Sequence, residues 1–145
     1  MRKALFIGGT GVISSAVTAL VSTMPQWNLY LLNRGNHNEQ IPDNVKVIKA
    51  DVHNFQEMKN ALDGLSFDVV VDFICFNVDD AQRDYELFRN ITQQFIFIST
   101  ASAYQKPAKS EVVTEETPLE NPFWDYSSKK IECEEYFWRR FREDG

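Results

Sequence analysis

Three closely spaced glycines separate an apolar run, residues 4–7, from an amphipathic stretch, residues 12–24. The run predicts a buried strand, and the helical spacing of apolar residues in the stretch predicts a helix. Gly8, at the strand end, permits a tight turn, and Gly11 lets the backbone approach a pyrophosphate at the helix N-terminus. This order predicts a dinucleotide site, against the alternative of a purely structural turn. The expected contacts are Gly8, Thr10, Gly11, Val12 and Ile13.

Apolar runs alternate with helical stretches along the rest of the chain. Further strands are predicted at residues 29–32, 45–50, 68–76 and 94–99, and further helices at 54–62, 79–91 and 124–142. Such alternation implies right-handed crossovers and a doubly wound parallel sheet. We therefore predict one α/β Rossmann domain over residues 1–145, with five strands in the order 3-2-1-4-5. Residues 102–122 have little periodicity, which indicates an irregular loop over a site.

The first and last helices are each expected to bury one stripe of side chains. The first stripe is predicted to contain Val12, Ala16, Ala19, Leu20 and Val21. The last is predicted to contain Tyr126, Lys130, Cys133, Phe137 and Phe141, with Tyr136 and Trp138 outside it. The two cysteines, Cys75 and Cys133, lie in apolar segments and predict buried reduced thiols rather than a disulfide or a metal site.

The charge balance narrows the class of partner. The chain has 15 Lys plus Arg against 21 Asp plus Glu, a formal net charge of −6, which argues against a nucleic-acid binder with a broad basic face. A helix N-terminus can still bind phosphate in an acidic protein. No apolar stretch approaches the roughly 18–20 residues that span a bilayer. With no pattern typical of a signal peptide at the N-terminus, we expect a cytoplasmic protein that does not enter membranes.

The end of the second predicted strand bears on the choice of cofactor. A carboxylate commonly stands there and binds the adenosine ribose of NAD. This chain has Asn33 followed by Arg34, which removes repulsion against a 2′-phosphate and offers it a cation. The sequence therefore slightly favours NADP over NAD, although an exposed arginine is often merely solvated. After the third strand, Asp51 and Val52 are expected near the adenine, with helix capping as the alternative role for Asp51.

Two further motifs carry chemistry. Tyr126 and Lys130 are four residues apart on one face of the last helix. A lysine ammonium beside a tyrosine favours the phenolate, so the pair can act as a general acid and base near neutral pH. Residues 99–104, Ser-Thr-Ala-Ser-Ala-Tyr, follow the fifth strand, at the sheet edge where open α/β sheets bind ligands. A hydroxyl there is expected to bind a substrate oxygen, with backbone capping as the alternative.

Four motifs in this order resemble the NAD-dependent epimerase/dehydratase family, the extended short-chain dehydrogenase/reductases. They are Gly8-Gly9-Thr10-Gly11, the strand end at residues 99–104, Glu115-Glu116-Thr117-Pro118 and Tyr126-x-x-x-Lys130. The resemblance implies Tyr126 as the catalytic acid/base and Lys130 as the residue that holds the nicotinamide ribose. Counting back from Tyr104, it implies Thr100 as the catalytic hydroxyl, with Ser102 as a less favoured substitute. One departure is Ser14, which stands where the third glycine of the nucleotide motif is usual.

The resemblance also implies a substrate and an assembly. Family members typically act on nucleotide sugars by transient oxidation at a sugar carbon, and they form dimers through helices that correspond to residues 79–91 and 124–142. They usually continue for about as many residues again, into a C-terminal substrate domain. We therefore expect that this chain is shortened, and that it binds NAD(P) but has little turnover. We also expect that the fifth strand exposes an apolar edge at Phe95 and Phe97.

A second hypothesis keeps the same fold without catalysis. The turn at residues 32–35, Leu-Asn-Arg-Gly, is also similar to an atypical branch that includes chloroplast stem-loop RNA-binding proteins. This second resemblance implies a non-catalytic module that senses NAD(P) or associates with RNA. The joint presence of Thr100, Tyr126 and Lys130 favours the enzyme, because a sensor has no physical need for an activated tyrosine.

Overall fold

The structure is a computed structural model that describes residues 1–36 and 41–144. Strands and helices alternate as the sequence predicts. The strands are β1 (Arg2–Ile7), β2 (Trp27–Asn33), β3 (Lys46–Lys49), β4 (Phe67–Asp72) and β5 (Thr92–Phe97). The helices are α1 (Val12–Ser22), α2 (Phe55–Ala61), α3 (Val78–Phe88) and α4 (Asp125–Asp144), and a 3₁₀ turn covers Ala101–Ala103. Most boundaries differ from the predicted ones by one to four residues, because terminal turns depend on caps that periodicity does not report.

The five strands form one parallel sheet in the order β3-β2-β1-β4-β5, which confirms the predicted topology. In the centre, Ile7 of β1 pairs with Leu32 of β2 on one side and with Asp72 of β4 on the other. The carboxyl ends of these three strands therefore lie at one edge of the sheet. The glycine turn begins at this edge, directly after Ile7.

The chain divides into two compact units. The first comprises Met1–Ile74 and Glu86–Ile98, and the second comprises Cys75–Tyr85 and Ser99–Gly145. The first unit contains the whole sheet and has a hydrophobic cluster on each face. Successive residues of a strand point to opposite faces, so Leu5 and Ile7 belong to one cluster while Ala4 and Phe6 belong to the other. Burial on both faces explains why these strands read as continuous apolar runs.

The inward face of α1 differs from the prediction. Val12 and Leu20, expected in the core, are 96% and 59% exposed, whereas Ser14 and Thr18 are buried. Both buried hydroxyls donate to carbonyl oxygens of the glycine turn, Ser14 to Gly8 at 2.6 Å and Thr18 to Gly9 at 2.8 Å. The helix therefore directs these hydroxyl groups toward the glycine turn. Of the predicted stripe, Val21 does pack against the core, so the prediction was wrong for Val12 and Leu20.

The buried stripe of α4 in the second unit also differs from the prediction. The buried residues are spaced by three, Ser127, Lys130, Cys133 and Tyr136. Tyr136, predicted to lie outside the core, packs its ring edge-on against Tyr85 with the centroids 6.2 Å apart. Phe141, predicted to be inside it, is 64% exposed. A stripe spaced by three rotates gradually around a helix of 3.6 residues per turn, which moves the later positions away from a four-residue pattern.

The cysteines agree with the prediction, since Cys75 and Cys133 are free and buried. Tyr104 pairs with Leu119 in an isolated antiparallel bridge, and most of the loop at residues 102–122 is otherwise irregular, as predicted. Among the described residues, no helix is both long enough and apolar enough to span a membrane.

Candidate functional site

The glycine turn of the first unit requires a glycine at its first position. Gly8 has a φ of +77°, in the left-handed region that residues with a Cβ disfavour. A Cβ built on Gly8 would lie 2.5 Å from Cγ2 of Ile74, which is closer than real Cβ contacts. The Gly8 amide donates to the carbonyl of Leu32 at 3.3 Å, which fixes the turn to the end of β2. Conformation and space therefore both exclude a side chain at this position.

Ser14 braces the same turn from the first turn of α1. Its hydroxyl donates to the Gly8 carbonyl at 2.6 Å and accepts from the Gly11 amide at 2.8 Å. The sequence indicated only a missing third glycine here. A small hydroxyl residue three positions after Gly11 was the available signal, since serine at this spacing can accept from the N-cap amide. Ser14 is thus a structural part of the site that sequence reasoning missed.

The N-terminal amides of α1 are open to a ligand. Within the part of the chain that the structure describes, the amides of Thr10, Val12 and Ile13 donate to no protein acceptor. The side chains of Val12 and Ile13 are 96% and 70% exposed, so they do not cover the turn. Open amides at a helix N-terminus beside a turn that excludes side chains fit the pyrophosphate of a dinucleotide.

The end of β2 places Asn33 and Asp51 at the same sheet edge as the glycine turn. The carbonyl of Asn33 accepts from the amide of Ala50, the residue before Asp51. The side-chain oxygen of Asn33 accepts from the Gly35 amide at 2.7 Å, while its buried Nδ2 has no partner among the residues described. Arg34 is exposed. This edge of the sheet therefore has one buried amide donor without a partner among the described residues and one exposed guanidinium.

Asp51 does not cap α2. The cap is Asn54, whose side chain accepts from the Glu57 amide at 3.1 Å, as the asparagine in the sequence predicts. Asp51 instead accepts from the amide of His53 at 3.0 Å. Val52 is buried in the core cluster beneath it. The capping alternative for Asp51 is therefore wrong, and its assignment as an adenine contact stays a prediction.

The second unit holds the predicted catalytic residues. Thr100 precedes the 3₁₀ turn, and its hydroxyl accepts from the Ser102 amide at 3.3 Å. The hydroxyl of Ser127, the residue after Tyr126, donates to the Ser102 hydroxyl at 2.7 Å. The Thr100 and Ser102 hydroxyls are 3.0 Å apart. These contacts connect the strand end at Thr100 to the helical turn that carries Tyr126.

Tyr126 is half-buried and has two aromatic neighbours. Its ring centroid lies 4.9 Å from that of Trp124 and 6.3 Å from that of Phe76. Phe76 also contacts Lys130, whose Nζ lies 5.7 Å from the ring centroid. Tyr126 and Lys130 therefore share Phe76 as a neighbour on one face of α4, as their four-residue spacing predicts.

Lys130 is one of the most deeply buried residues of the second unit, with 1% of its surface exposed. Its ammonium donates to the carbonyl of Cys75 at 2.8 Å. The neighbouring Lys129 is exposed and forms an ion pair with Asp125 at 2.7 Å, which raises its pKa through that hydrogen bond and the carboxylate charge. The two adjacent lysines therefore have opposite environments, and only Lys130 has a fixed internal position.

The same region perturbs a thiol. A hydrogen bond from Cys75 lowers the pKa of the Cys133 thiol, burial opposes this shift, and the Lys130 ammonium adds a further lowering. Cys133 lies one helical turn after Lys130, and it is fully buried. Lys130 thus belongs to a small cluster with both cysteines, which their wide separation in sequence did not predict.

The chain has a parallel sheet in this strand order, a glycine turn after the first strand and open amides at the start of the next helix. These features define a Rossmann-type dinucleotide-binding protein. The model of the NAD dependent epimerase/dehydratase family matches residues 4–145. The chain belongs to that family, which is NAD-dependent by description and confirms the resemblance seen in the sequence.

Solved structures show the same fold. The UDP-Glc/GlcNAc 4-epimerase of Campylobacter jejuni is 24% identical, with a TM-score of 0.84 over 99% of this chain and 50% of that one. The dTDP-glucose 4,6-dehydratase of Bacillus anthracis, solved with NAD, is 18% identical, with a TM-score of 0.81 over 99% and 52%. The UDP-glucuronic acid 4-epimerase of Bacillus cereus, solved with UDP-glucuronic acid and NAD, is 20% identical, with a TM-score of 0.78 over 97% and 52%.

The chain spans about half the length of these solved proteins. A sequence comparison with curated proteins finds no match.

Proposed function

We propose that residues 1–145 are the NAD(P)-binding Rossmann portion of an enzyme that acts on a hydroxyl-bearing carbon of a nucleotide sugar. The observation that carries this proposal is the glycine turn, whose open amides and excluded side chains suit a pyrophosphate. The family assignment over residues 4–145 supports it. Solved proteins of the same fold contain NAD, and one contains UDP-glucuronic acid.

Each unit has its own part in this proposal. In the first, the amides of Thr10, Val12 and Ile13 would bind the pyrophosphate. In the second, Lys130 would hold the nicotinamide ribose, Tyr126 would take the proton of the substrate hydroxyl, and Thr100 would bind the same oxygen. NAD(P) held by these residues would supply a hydride acceptor for the sugar carbon. Tyr126 and Lys130 share Phe76 as a neighbour on one face of α4, which supports assigning them to one catalytic group.

A cofactor titration tests the proposal. We expect the binding of NADH or NADPH to quench the tryptophan fluorescence of the protein. Residues 1–145 alone should show no sustained turnover of UDP-glucose. A Gly11→Val variant should lose binding, because its side chain would stand where the pyrophosphate approaches. The control is Ala16→Val, which adds a β-branched side chain to the exposed face of α1 beyond its first turn. If neither cofactor binds, the proposal is wrong. If the protein instead binds RNA with an affinity that falls as salt rises, the non-catalytic module is favoured.

The proposed assembly is a homodimer through the outer surfaces of α3 and α4. On α4, Trp138 and Phe141 are 59% and 64% exposed, and their rings contact edge-on at 6.0 Å. Exposed aromatic pairs of this kind are typical of protein interfaces. Sedimentation of Trp138→Glu should give monomers where the unmodified chain gives dimers, and a monomeric unmodified chain would contradict this part.

A further inference from the structure

A chain of hydroxyl groups in the second unit ends at the proposed catalytic Thr100. Asn121 donates from Nδ2 to the Ser127 hydroxyl at 3.4 Å, and Ser127 donates to Ser102 at 2.7 Å. The Ser102 hydroxyl is 3.0 Å from that of Thr100. Ser127 is fully buried and Asn121 is 8% exposed, whereas Thr100 and Ser102 are half-buried. This row of hydrogen bonds thus runs from the interior of the unit to a partly exposed threonine.

The direction of the hydrogen bonds is fixed at the buried end. The Nδ2 of Asn121 donates to the Ser102 carbonyl at 2.7 Å, and its side-chain oxygen accepts from the Phe123 amide at 3.2 Å. A backbone carbonyl only accepts and a backbone amide only donates, so these two partners settle which end of the side chain is nitrogen. The second N–H of Asn121 therefore points at Ser127, and the Ser127 hydroxyl donates to Ser102.

The same logic assigns the hydrogen of Ser102. Its oxygen already accepts from Ser127, and Thr100 is the acceptor within reach of its hydroxyl in the part of the chain that the structure describes. If Ser102 donates to Thr100, the hydroxyl hydrogens of both Ser127 and Ser102 have an acceptor. Thr100 then accepts from both the hydroxyl and the amide of Ser102, which leaves its own hydrogen to be donated outward.

We propose that Asn121 and Ser127 are positioning residues that orient the Thr100 hydroxyl as a hydrogen-bond donor to the reacting substrate oxygen. The inference rests on the proposed function, because it supplies a reason for a donor at Thr100. A donor directed at that oxygen stabilises the charge that develops when Tyr126 removes its proton. Ser127, adjacent to Tyr126 on α4, also ties this donor to the turn that carries the acid/base.

Hydroxyl exchange measured by NMR tests the assignment without cofactor or substrate. In a ¹³C-labelled chain in half-deuterated water, a slowly exchanging hydroxyl splits its Cβ resonance into two lines. We expect split resonances for Ser102 and Ser127, whose hydrogens stay within the chain, and one averaged line for Thr100. A split Thr100 resonance together with an averaged Ser102 resonance would show that Thr100 donates inward, which overturns the proposal.

Variants at position 127 separate positioning from simple packing. Ser127→Ala removes the donor to Ser102, so the direction of the Ser102–Thr100 hydrogen bond is no longer set and the Ser102 doublet should collapse. Exchange of one Asn121 side-chain N–H should also speed up by about tenfold, since that N–H loses its acceptor. Ser127→Thr keeps a hydroxyl and should keep the pattern. The matched control is Ser128→Ala, because the Ser128 hydroxyl donates to the Asn121 carbonyl at 3.2 Å and lies outside the chain.

An unchanged Ser102 doublet in a folded Ser127→Ala variant would also overturn the proposal. If that variant does not fold, the wild-type pattern and the Ser127→Thr pattern still decide the question. Loss of NADH binding with a retained hydroxyl pattern would instead contradict the proposed function alone, so the two failures are distinguishable.

Discussion

The hydroxyl of Ser14 donates a 2.6 Å hydrogen bond to the carbonyl of Gly8, and it accepts a 2.8 Å hydrogen bond from the amide of Gly11. One side chain therefore spans both ends of the glycine turn. The residue that departs from the usual glycine pattern is what holds this turn in place. A glycine at position 14 would have allowed closer packing of helix and strand, but it would have left both backbone groups without this partner.

Replacing Ser14 should therefore destabilise the protein even where the change restores the glycine motif. For Ser14→Gly we expect a loss of about 2.5–3 kcal/mol, from two hydrogen bonds at about 1 kcal/mol each and about 0.5–1 kcal/mol for a helical glycine. Urea unfolding gives this value directly. The matched variant is Ser15→Gly. The exposed 3.3 Å hydrogen bond from its hydroxyl to the Val12 carbonyl adds little, so the loss should be only about 1 kcal/mol, from the helical glycine. Equal losses at the two positions would refute the bracing role.

Gly8→Ala should lower the stability of the folded protein more than Gly64→Ala does. Both glycines have positive φ, +77° and +71°, so Ala pays the same conformational strain of about 1–2 kcal/mol at each. Only at Gly8 does a Cβ meet another atom, Cγ2 of Ile74 at 2.5 Å, while nothing lies within 4 Å at Gly64. Overpacking adds about 1–3 kcal/mol, so thermal unfolding should show Gly8→Ala clearly less stable than Gly64→Ala. Similar stabilities would mean that Ile74 moves away freely.

The topology of the sheet was predictable because strong local signals agreed with each other. The apolar runs, the glycine turn and the helical stretches each indicate one kind of element, and the right-handed crossover rule then leaves few strand orders. The inward faces of α1 and α4 were less predictable. They depend on Ser14, Thr18 and Tyr136, polar side chains whose burial requires partners from elsewhere in the chain.

The candidate site was predictable at the level of motifs and not at the level of contacts. Sequence spacing alone indicated that Tyr126 and Lys130 share a helix face. The carbonyl that binds the Lys130 ammonium belongs to Cys75, 55 positions earlier, and no local pattern connects the two. The hydrogen bond between the Ser102 and Ser127 hydroxyls was unpredictable for the same reason, since it joins residues 25 positions apart.

The thiol of Cys133 should respond to its two neighbours in a defined order. The hydrogen bond from Cys75 lowers the pKa of Cys133 most strongly among the favourable contacts, and the Lys130 charge lowers it less. Thiolate absorption near 240 nm, followed against pH, should therefore show a larger upward shift of the Cys133 pKa in Cys75→Ala than in Lys130→Met. Lys129→Met should show none, because that ammonium is exposed and paired with Asp125. An unshifted titration in Cys75→Ala would exclude the thiol hydrogen bond.

The lowered pKa of Cys133 also gives the stability of the protein a pH dependence of known sign. The thiolate is more favourable in the folded chain than in the unfolded one, where the thiol titrates near 9.0. Its contribution is therefore fully present above that value and is lost as the pH falls through the folded pKa. The difference in unfolding free energy between wild type and Cys133→Ala should grow as the pH rises toward 9.0. A pH-independent difference would reflect only the cavity left by the missing sulfur.

Arg34 should decide the preference between the two nicotinamide cofactors. The neighbouring Asn33 brings no negative charge to the end of β2, so a 2′-phosphate there would meet no repulsion from that position, and the Arg34 guanidinium is exposed within the same turn. A charge-assisted hydrogen bond to phosphate contributes about 1.5–3 kcal/mol, so Arg34→Ala should weaken NADPH binding by roughly 10- to 100-fold and change NADH binding little. The matched control is Lys59→Ala, which removes an exposed cation from α2 and should leave both affinities unchanged. A wild-type chain that binds NADH more tightly than NADPH, with both affinities insensitive to Arg34→Ala, would show that this arginine is only solvated and that the chain prefers NAD.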